Sequence, residues 1–253
     1  MASVDVLTTG TGPGLVVIPG TTRRARHYQS LADALADRYT VHVIERRGRG
    51  KSPAQGDGYG LDAEITDVLE VLEETKSRQV FGHSYGGLVA LHAALRTALD
   101  RVIVYEPATS INGSLPGGWL PRYEKLLADG HDARAMVHFL HALDMMPSGP
   151  AMVGVVWAMQ HLTSEGRATR ELLPTVPPEF HVAVELDSDG GRYSAVTAPA
   201  LLLGGGRSPA YLLEVLHVLS QTIPRAQMIV TPEFDHNAPD LSAPKAVAEL
   251  IRA

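Results

Sequence analysis

Short apolar runs alternate with helical patterns in this chain, and that alternation restricts the fold more than any other feature. Leu15-Val16-Val17-Ile18 ends at Pro19-Gly20, and Val41-His42-Val43-Ile44 ends before Arg47-Gly48-Arg49-Gly50. Gln79-Val80-Phe81 ends at Gly82, and Arg101-Val102-Ile103-Val104-Tyr105 follows. Between them lie helical spacings: Tyr28, Leu31 and Leu35, then Leu61, Ile65, Val68, Leu69 and Leu72. Strands that are apolar without interruption are buried on both faces. Separated by helices, they imply an α/β fold, a mostly parallel central sheet with helices on either side.

The rhythm breaks between residues 111 and 195. That stretch is rich in His, Met, Pro and Gly and holds both tryptophans, Trp119 and Trp157. Tyr123–Ala128 and Ala133–Leu143 read as helices, so residues 111–195 are expected to form an inserted helical lid. The core is then residues 1–110 and 196–253. The βα rhythm resumes with Ala200-Leu201-Leu202-Leu203, which ends at Gly204-Gly205-Gly206. Ser208-Pro209 pairs an N-cap residue with proline at the first helical position and opens a helix over Pro209–Ser220. A strand at Ala226–Val230 and a closing helix at Ala243–Arg252 complete the pattern.

The length, 253 residues, suits one α/β domain with a sizeable core. A net charge of −6 argues against a general nucleic-acid binder, which would carry a basic stripe. One local exception is Arg23, Arg24 and Arg26 with Arg46, Arg47 and Arg49. These read as solvated loop charge, or as a site for an anionic group on a substrate. With no cysteine there is no disulfide, no cysteine nucleophile and no Cys-ligated zinc. The start, MASVDVLTTG, lacks the basic and apolar regions of a signal peptide. No early apolar run is long enough to span a bilayer. The expectation is a cytoplasmic protein with no membrane segment.

The chemistry concentrates at Gly82-His83-Ser84-Tyr85-Gly86-Gly87, between an apolar strand and the helical run Leu88–Leu95. A serine on a sharp strand-to-helix turn is lifted above the sheet edge, and the small Gly82 and Gly86 let the turn close. The helix N-terminus then favours negative charge developing there. Ser84 is therefore the candidate nucleophile. His236, in Phe234-Asp235-His236-Asn237-Ala238-Pro239 between the last strand and the last helix, is the candidate base. His42 and His92 read as core or helix-face residues. His131, His138 and His141 lack the carboxylate pattern of a metal site. Gly10-Thr11-Gly12-Pro13-Gly14 precedes its strand, so it is no dinucleotide fingerprint, and no cofactor is expected.

Together these pieces resemble the α/β-hydrolase family over nearly all of the chain outside the lid. The matching stretches are Pro19-Gly20-Thr21, Glu45-Arg46-Arg47-Gly48-Arg49-Gly50-Lys51-Ser52, the turn around Ser84, Tyr105-Glu106-Pro107 and Asp235-His236-Asn237. The resemblance implies an oxyanion hole made by the backbone N–H groups of Thr21 and Tyr85. The family often has His-Gly where this chain has Pro19-Gly20, and Asp where it has Glu45. A third departure matters more. Members usually carry the triad acid in the loop after the strand that follows the lid, where this chain has Arg207 in Gly204-Gly205-Gly206-Arg207-Ser208-Pro209. Some members take their acid from the end of the strand after the nucleophile helix instead, which is Glu106 here. The order Ser84, Glu106, His236 fits the family's order. Asp235 sits too close in sequence to His236 to point at its ring, and Asp187, Asp189 and Asp240 remain remote alternatives.

The resemblance implies two-step acyl transfer on a small-molecule ester or lactone. Trp119, Met136, Phe139, Met145 and Trp157, with Met146, Met152 and Met159, either form an apolar, adaptable pocket or pack the lid onto the core. Cleavage of a carbon–carbon bond beside a carbonyl is a rival on the same residues. A non-hydrolytic cyclase or ligand sensor is another.

Overall fold

The computed structural model describes residues 3–253; the first two residues of the expected core lie outside them. The elements in chain order are β1 (Val6–Thr9), β2 (Gly14–Ile18), α1 (Gln29–Leu35), β3 (Thr40–Ile44), α2 (Leu61–Thr75), β4 (Gln79–His83), α3 (Tyr85–Ala94) and β5 (Arg101–Tyr105). An all-helical segment follows: α4 (Leu120–Ala128), α5 (Asp132–Ala142), α6 (Pro150–Leu162), α7 (Ser164–Glu171) and α8 (Val176–Glu185). The chain then returns through β6 (Ala200–Gly205), α9 (Ala210–Thr222), β7 (Ala226–Thr231) and α10 (Pro244–Arg252).

The seven strands form one sheet in the order β1-β3-β2-β4-β5-β6-β7. β1 runs antiparallel to β3, and every other pair is parallel. The sequence pattern did not indicate β1. Val6-Leu7-Thr8-Thr9 is a half-exposed edge strand with little apolar surface to betray it. The interior strands are mostly apolar because their alternate residues serve two cores. Val16 and Ile18 of β2, Val102 and Val104 of β5 and Leu202 of β6 pack with α2, α3 and α9. Leu15, Val17, Ile103, Tyr105, Leu201 and Leu203 pack with α1 and α10 on the other face. Each fully buried Leu, Ile or Val contributes roughly 1.5–3 kcal/mol relative to exposure.

α3 is apolar all round and every one of its residues is buried, between the sheet and the helical segment. It carries one polar exception, His92, whose Nε2 lies 3.2 Å from the Tyr193 hydroxyl. Burial, aided by the charges of Arg192 and Arg96, holds the His92 pKa down at about 4. Above pH 6.5 the ring is neutral in both folded and unfolded chains and its titration adds nothing. As pH falls from about 6.5 to 4, only the unfolded chain takes up the proton, so stability falls through that window. The His92→Gln protein should therefore lose about 1–2 kcal/mol less than the parent between about pH 7 and pH 5. Denaturant titrations at the two pH values check this. Equal losses would show that folded His92 titrates normally.

The order β3-β2-β4 makes the carboxyl ends of β2 and β4 a switch point, where the chain leaves in opposite directions and a crevice opens. The loops after β2, β4, β5, β6 and β7 all leave from that edge. Among the described residues, no helix is long and apolar enough to cross a membrane.

Candidate active site

Ser84 occupies the turn between β4 and α3 at φ 54° and ψ −121°, a conformation that L residues rarely adopt. The surroundings hold it there. Its N–H donates to the Tyr105 carbonyl at 3.0 Å, and its own carbonyl accepts from Gly87, Leu88 and Ala108. The glycines are required by close approach: a Cβ on Gly82 would lie 2.3 Å from the Gly86 carbonyl oxygen, and one on Gly86 2.1 Å from that of Ile18. The first two helical N–H groups of α3, those of Tyr85 and Gly86, start directly after the serine and have no acceptor among the described residues.

His236, on the loop after β7, is nearly buried, with its Nδ1 2.7 Å from Oε2 of Glu106. Glu106 directly follows β5, is fully buried, and sits at φ 43°. Its second oxygen, Oε1, accepts the Gly205 N–H at 2.7 Å. Both carboxylate oxygens are thus engaged, and the imidazole is left with Nε2 as its other nitrogen. Ser84 and His236 line one cavity. Arg207 is exposed, with its N–H given to the Phe234 carbonyl. The end of β6 therefore supplies Glu106 with a backbone donor, from Gly205, and the loop after it offers no carboxylate of its own.

The other carboxylates are committed elsewhere. Asp235 accepts from the Asn237 N–H and the Ser242 hydroxyl. Asp187 accepts from Ser110 and Gly113, which lowers its pKa. Asp189 accepts from Gly191, and Asp240 pairs with Arg23 at 2.5 Å.

A buried relay braces the loops after β2 and β7. The Gly20 N–H donates to the Tyr28 hydroxyl at 3.0 Å, and that hydroxyl lies 2.6 Å from His83 Nδ1. His83 Nε2 lies 2.8 Å from the His236 carbonyl, so Nε2 carries the proton and Nδ1 accepts from Tyr28. Burial, then the neighbouring His236 and Arg23, hold the His83 pKa well below its ordinary value, which keeps this neutral tautomer. The relay engages the Gly20 amide. The Thr21 amide beside it has no acceptor among the described residues, and neither does that of Tyr85.

The basic residues are not as the sequence suggested. Arg46 and Arg49 are buried ion-pair partners, neither solvated loop charge nor a free anion site. Arg46 reaches Glu64 at 2.8 Å and Glu179 at 3.2 Å, and Arg49 reaches Glu179 at 2.6 Å. Burial opposes charge on Arg46, yet Glu179 and Glu64 hold its pKa well above the ordinary value. Arg47 pairs with Asp67, Arg24 with Glu45, and Arg26 with Glu165. Glu179, in α8, also accepts the Thr21 hydroxyl at 2.8 Å. It was missed in the sequence because an acid after two prolines in a helical segment carries no signal. His83 and Tyr28 were missed as well, although the adjacency of His83 to Ser84 was visible.

The cavity over Ser84 has a volume of about 700 Å³, with Met136, Phe139 and Met145 on its wall. Met146 and Met159 also line it. Trp119 does not. It is buried in an aromatic cluster with Tyr123, Phe139 and Phe180, where its ring packs the helical segment together. Trp157 does not either. It is 53% exposed on the outer face of α6, stacked on His161, because the helix turns Val156 and Gln160 inward. Met152 packs between α5 and α6. His138 and His141 meet the backbone carbonyls of Trp119 and Met146.

The profile of the alpha/beta hydrolase family matches residues 15–250. The chain belongs to the alpha/beta hydrolase family. A pimeloyl-[acyl-carrier protein] methyl ester esterase of Chromobacterium violaceum is 28% identical over 246 residues, 94% of this chain and 92% of that one. An N-formylmaleamate deformylase of Pseudomonas putida is 32% identical over 106 residues, 40% of each chain. An alpha/beta hydrolase from Sphaerobacter thermophilus superposes with a TM-score of 0.83 at 27% identity, covering 98% of this chain and 94% of that one. In this family's fold, the hydrolase core carries the sheet edge described above and α4–α8 stand over it.

Proposed function

We propose that this chain hydrolyses a carboxylic ester or lactone of a small-to-medium apolar substrate through an acyl-enzyme on Ser84. The observation that carries the reading is the 2.7 Å contact of His236 with fully buried Glu106, at the cavity that Ser84 also lines. Glu106 accepts a hydrogen bond from the Nδ1–H and leaves Nε2 as the base. Nε2 takes the Ser84 hydroxyl proton as Oγ attacks the carbonyl carbon. The oxyanion is held by the Thr21 and Tyr85 N–H groups, free of other acceptors and backed by the α3 N-terminus. The imidazolium returns its proton to the leaving alkoxide. Water, activated by the same nitrogen, then releases the acid. α4–α8 act as the lid. No cofactor takes part in this scheme. The methyl ester esterase among the relatives supports an ester with a small alcohol, without naming the acyl group here.

A fluorophosphonate probe tests this directly. Covalent labelling mapped to the peptide containing Ser84, together with turnover of simple methyl esters, is the expected result. An unlabelled protein would point to a ligand sensor. Labelling with turnover of vinylogous diketones but not esters would point to carbon–carbon cleavage.

A further inference from the structure

The cavity wall is apolar over most of its lid side, where the polar side chains are Gln160, Glu165 and Thr169. Gln160 lines it from the inner face of α6, one turn beyond Val156, and is only 3% exposed. Its carboxamide Nε2 and Oε1 are both buried, and neither has a hydrogen-bond partner in the protein. Buried polar side chains almost always find a partner, and an exception calls for a reason. The charged groups at the same wall are already matched: Arg26 and His27 both pair with Glu165, at 3.1 and 3.0 Å.

We propose that Gln160 is a specificity-determining residue that reads a neutral group, both donor and acceptor, on the part of the ester remote from the scissile carbonyl. A hydroxyl or a carboxamide meets that description. Each can accept from Nε2–H and donate to Oε1. A carboxylate would satisfy the donor and set its own negative oxygen against Oε1. A methyl terminus would leave both amide groups unpaired. Ser84 stands on the sheet edge and Gln160 on the lid, so the two groups recognise different parts of one molecule. The inference rests on the serine-ester reading and sharpens its substrate class.

The test compares methyl esters of ω-hydroxy and ω-carbamoyl fatty acids with unsubstituted esters of matched length, across a series of lengths. At the best length, the parent should favour one polar-ended series by about 10–100-fold in kcat/KM, since a site built for a hydrogen bond discriminates against an analogue lacking it. The preferred series separates hydroxyl from carboxamide. Gln160→Met, close in shape, should abolish the preference while Ser84 still reacts with the fluorophosphonate. Equal turnover of matched esters by the parent, or an unchanged ratio in Gln160→Met, overturns the proposal alone. Absence of both labelling and turnover in the parent overturns the ester reading and this proposal with it.

Discussion

Glu106→Gln is expected to lower kcat/KM by about a thousand- to ten-thousand-fold while the protein stays folded, as loss of the orienting acid does in the serine-protease triad. The hydrogen bonds at this site explain why an isosteric change should be so costly. Two donors converge on the buried carboxylate, the Gly205 N–H at one oxygen and the His236 ring at the other. A glutamine has a single oxygen. If it accepts from His236, its NH₂ is forced against the Gly205 N–H. If it accepts from Gly205, its NH₂ faces Nδ1 and selects the tautomer that puts the proton on Nε2, which disarms the base. In either orientation the negative charge that steadies the imidazolium is gone. Glu106→Asp keeps the charge but is one methylene shorter, so it should fall between. Adding Arg207→Asp to the glutamine variant should recover less than about a tenth of the lost rate, because residue 207 is exposed on a turn tied to Phe234. Steady-state kinetics on a methyl ester decide the point. A glutamine variant with near-parental activity would mean that Glu106 is not the acid.

The parts of this molecule that were legible in the sequence share one property: their signal is local. The buried strands announced themselves because both faces are covered, so their middles are runs of mostly apolar residues. The turn at Ser84 was legible because close backbone approach admits only glycine at positions 82 and 86. Glu106 and His236 could be placed on one edge because each follows the carboxyl end of a strand, Glu106 directly after β5 and His236 in the loop after β7, and the carboxyl ends of parallel strands share an edge. What was not legible depends on partners far away in the chain. Arg46 and Arg49 look like surface charge until Glu179, more than a hundred residues later, is brought against them. Trp157 and Gln160 sit within one turn of each other, and only the packing of α6 decides that the polar residue faces in and the aromatic faces out. β1 was missed for the opposite reason, since an edge strand buries too little to leave a pattern.

Glu179→Gln should destabilise the protein by about 3–5 kcal/mol, the usual cost of breaking a buried ion pair from one side. Glu179 is fully buried and faces two guanidiniums, those of Arg46 and Arg49. Burial alone would raise its pKa, yet Arg46 and Arg49 hold it below the ordinary value, so the ionised form is the one the fold requires. With a neutral amide there, Glu64 alone must balance Arg46, and Arg49 loses its paired charge, keeping as acceptors the Arg23 and Arg47 carbonyls and at most the single amide oxygen. At roughly 2–4 °C per kcal/mol for a chain of this size, the melting temperature should fall by about 10 °C or more. The effect should also reach catalysis. The same carboxylate accepts the Thr21 hydroxyl and so steadies the loop proposed to hold the oxyanion. Thr21→Val separates the two contributions. It removes the hydroxyl and leaves the ion cluster whole, so it should lower kcat by about tenfold with a much smaller change in melting temperature. A Glu179→Gln protein that melts within a degree or two of the parent would show that the arginines find other acceptors. In that case the charge of Glu179 adds little to the hold of α8 on the core, and the contacts of Arg26 and His27 with Glu165 remain the charged ties between the helical segment and the core that matter.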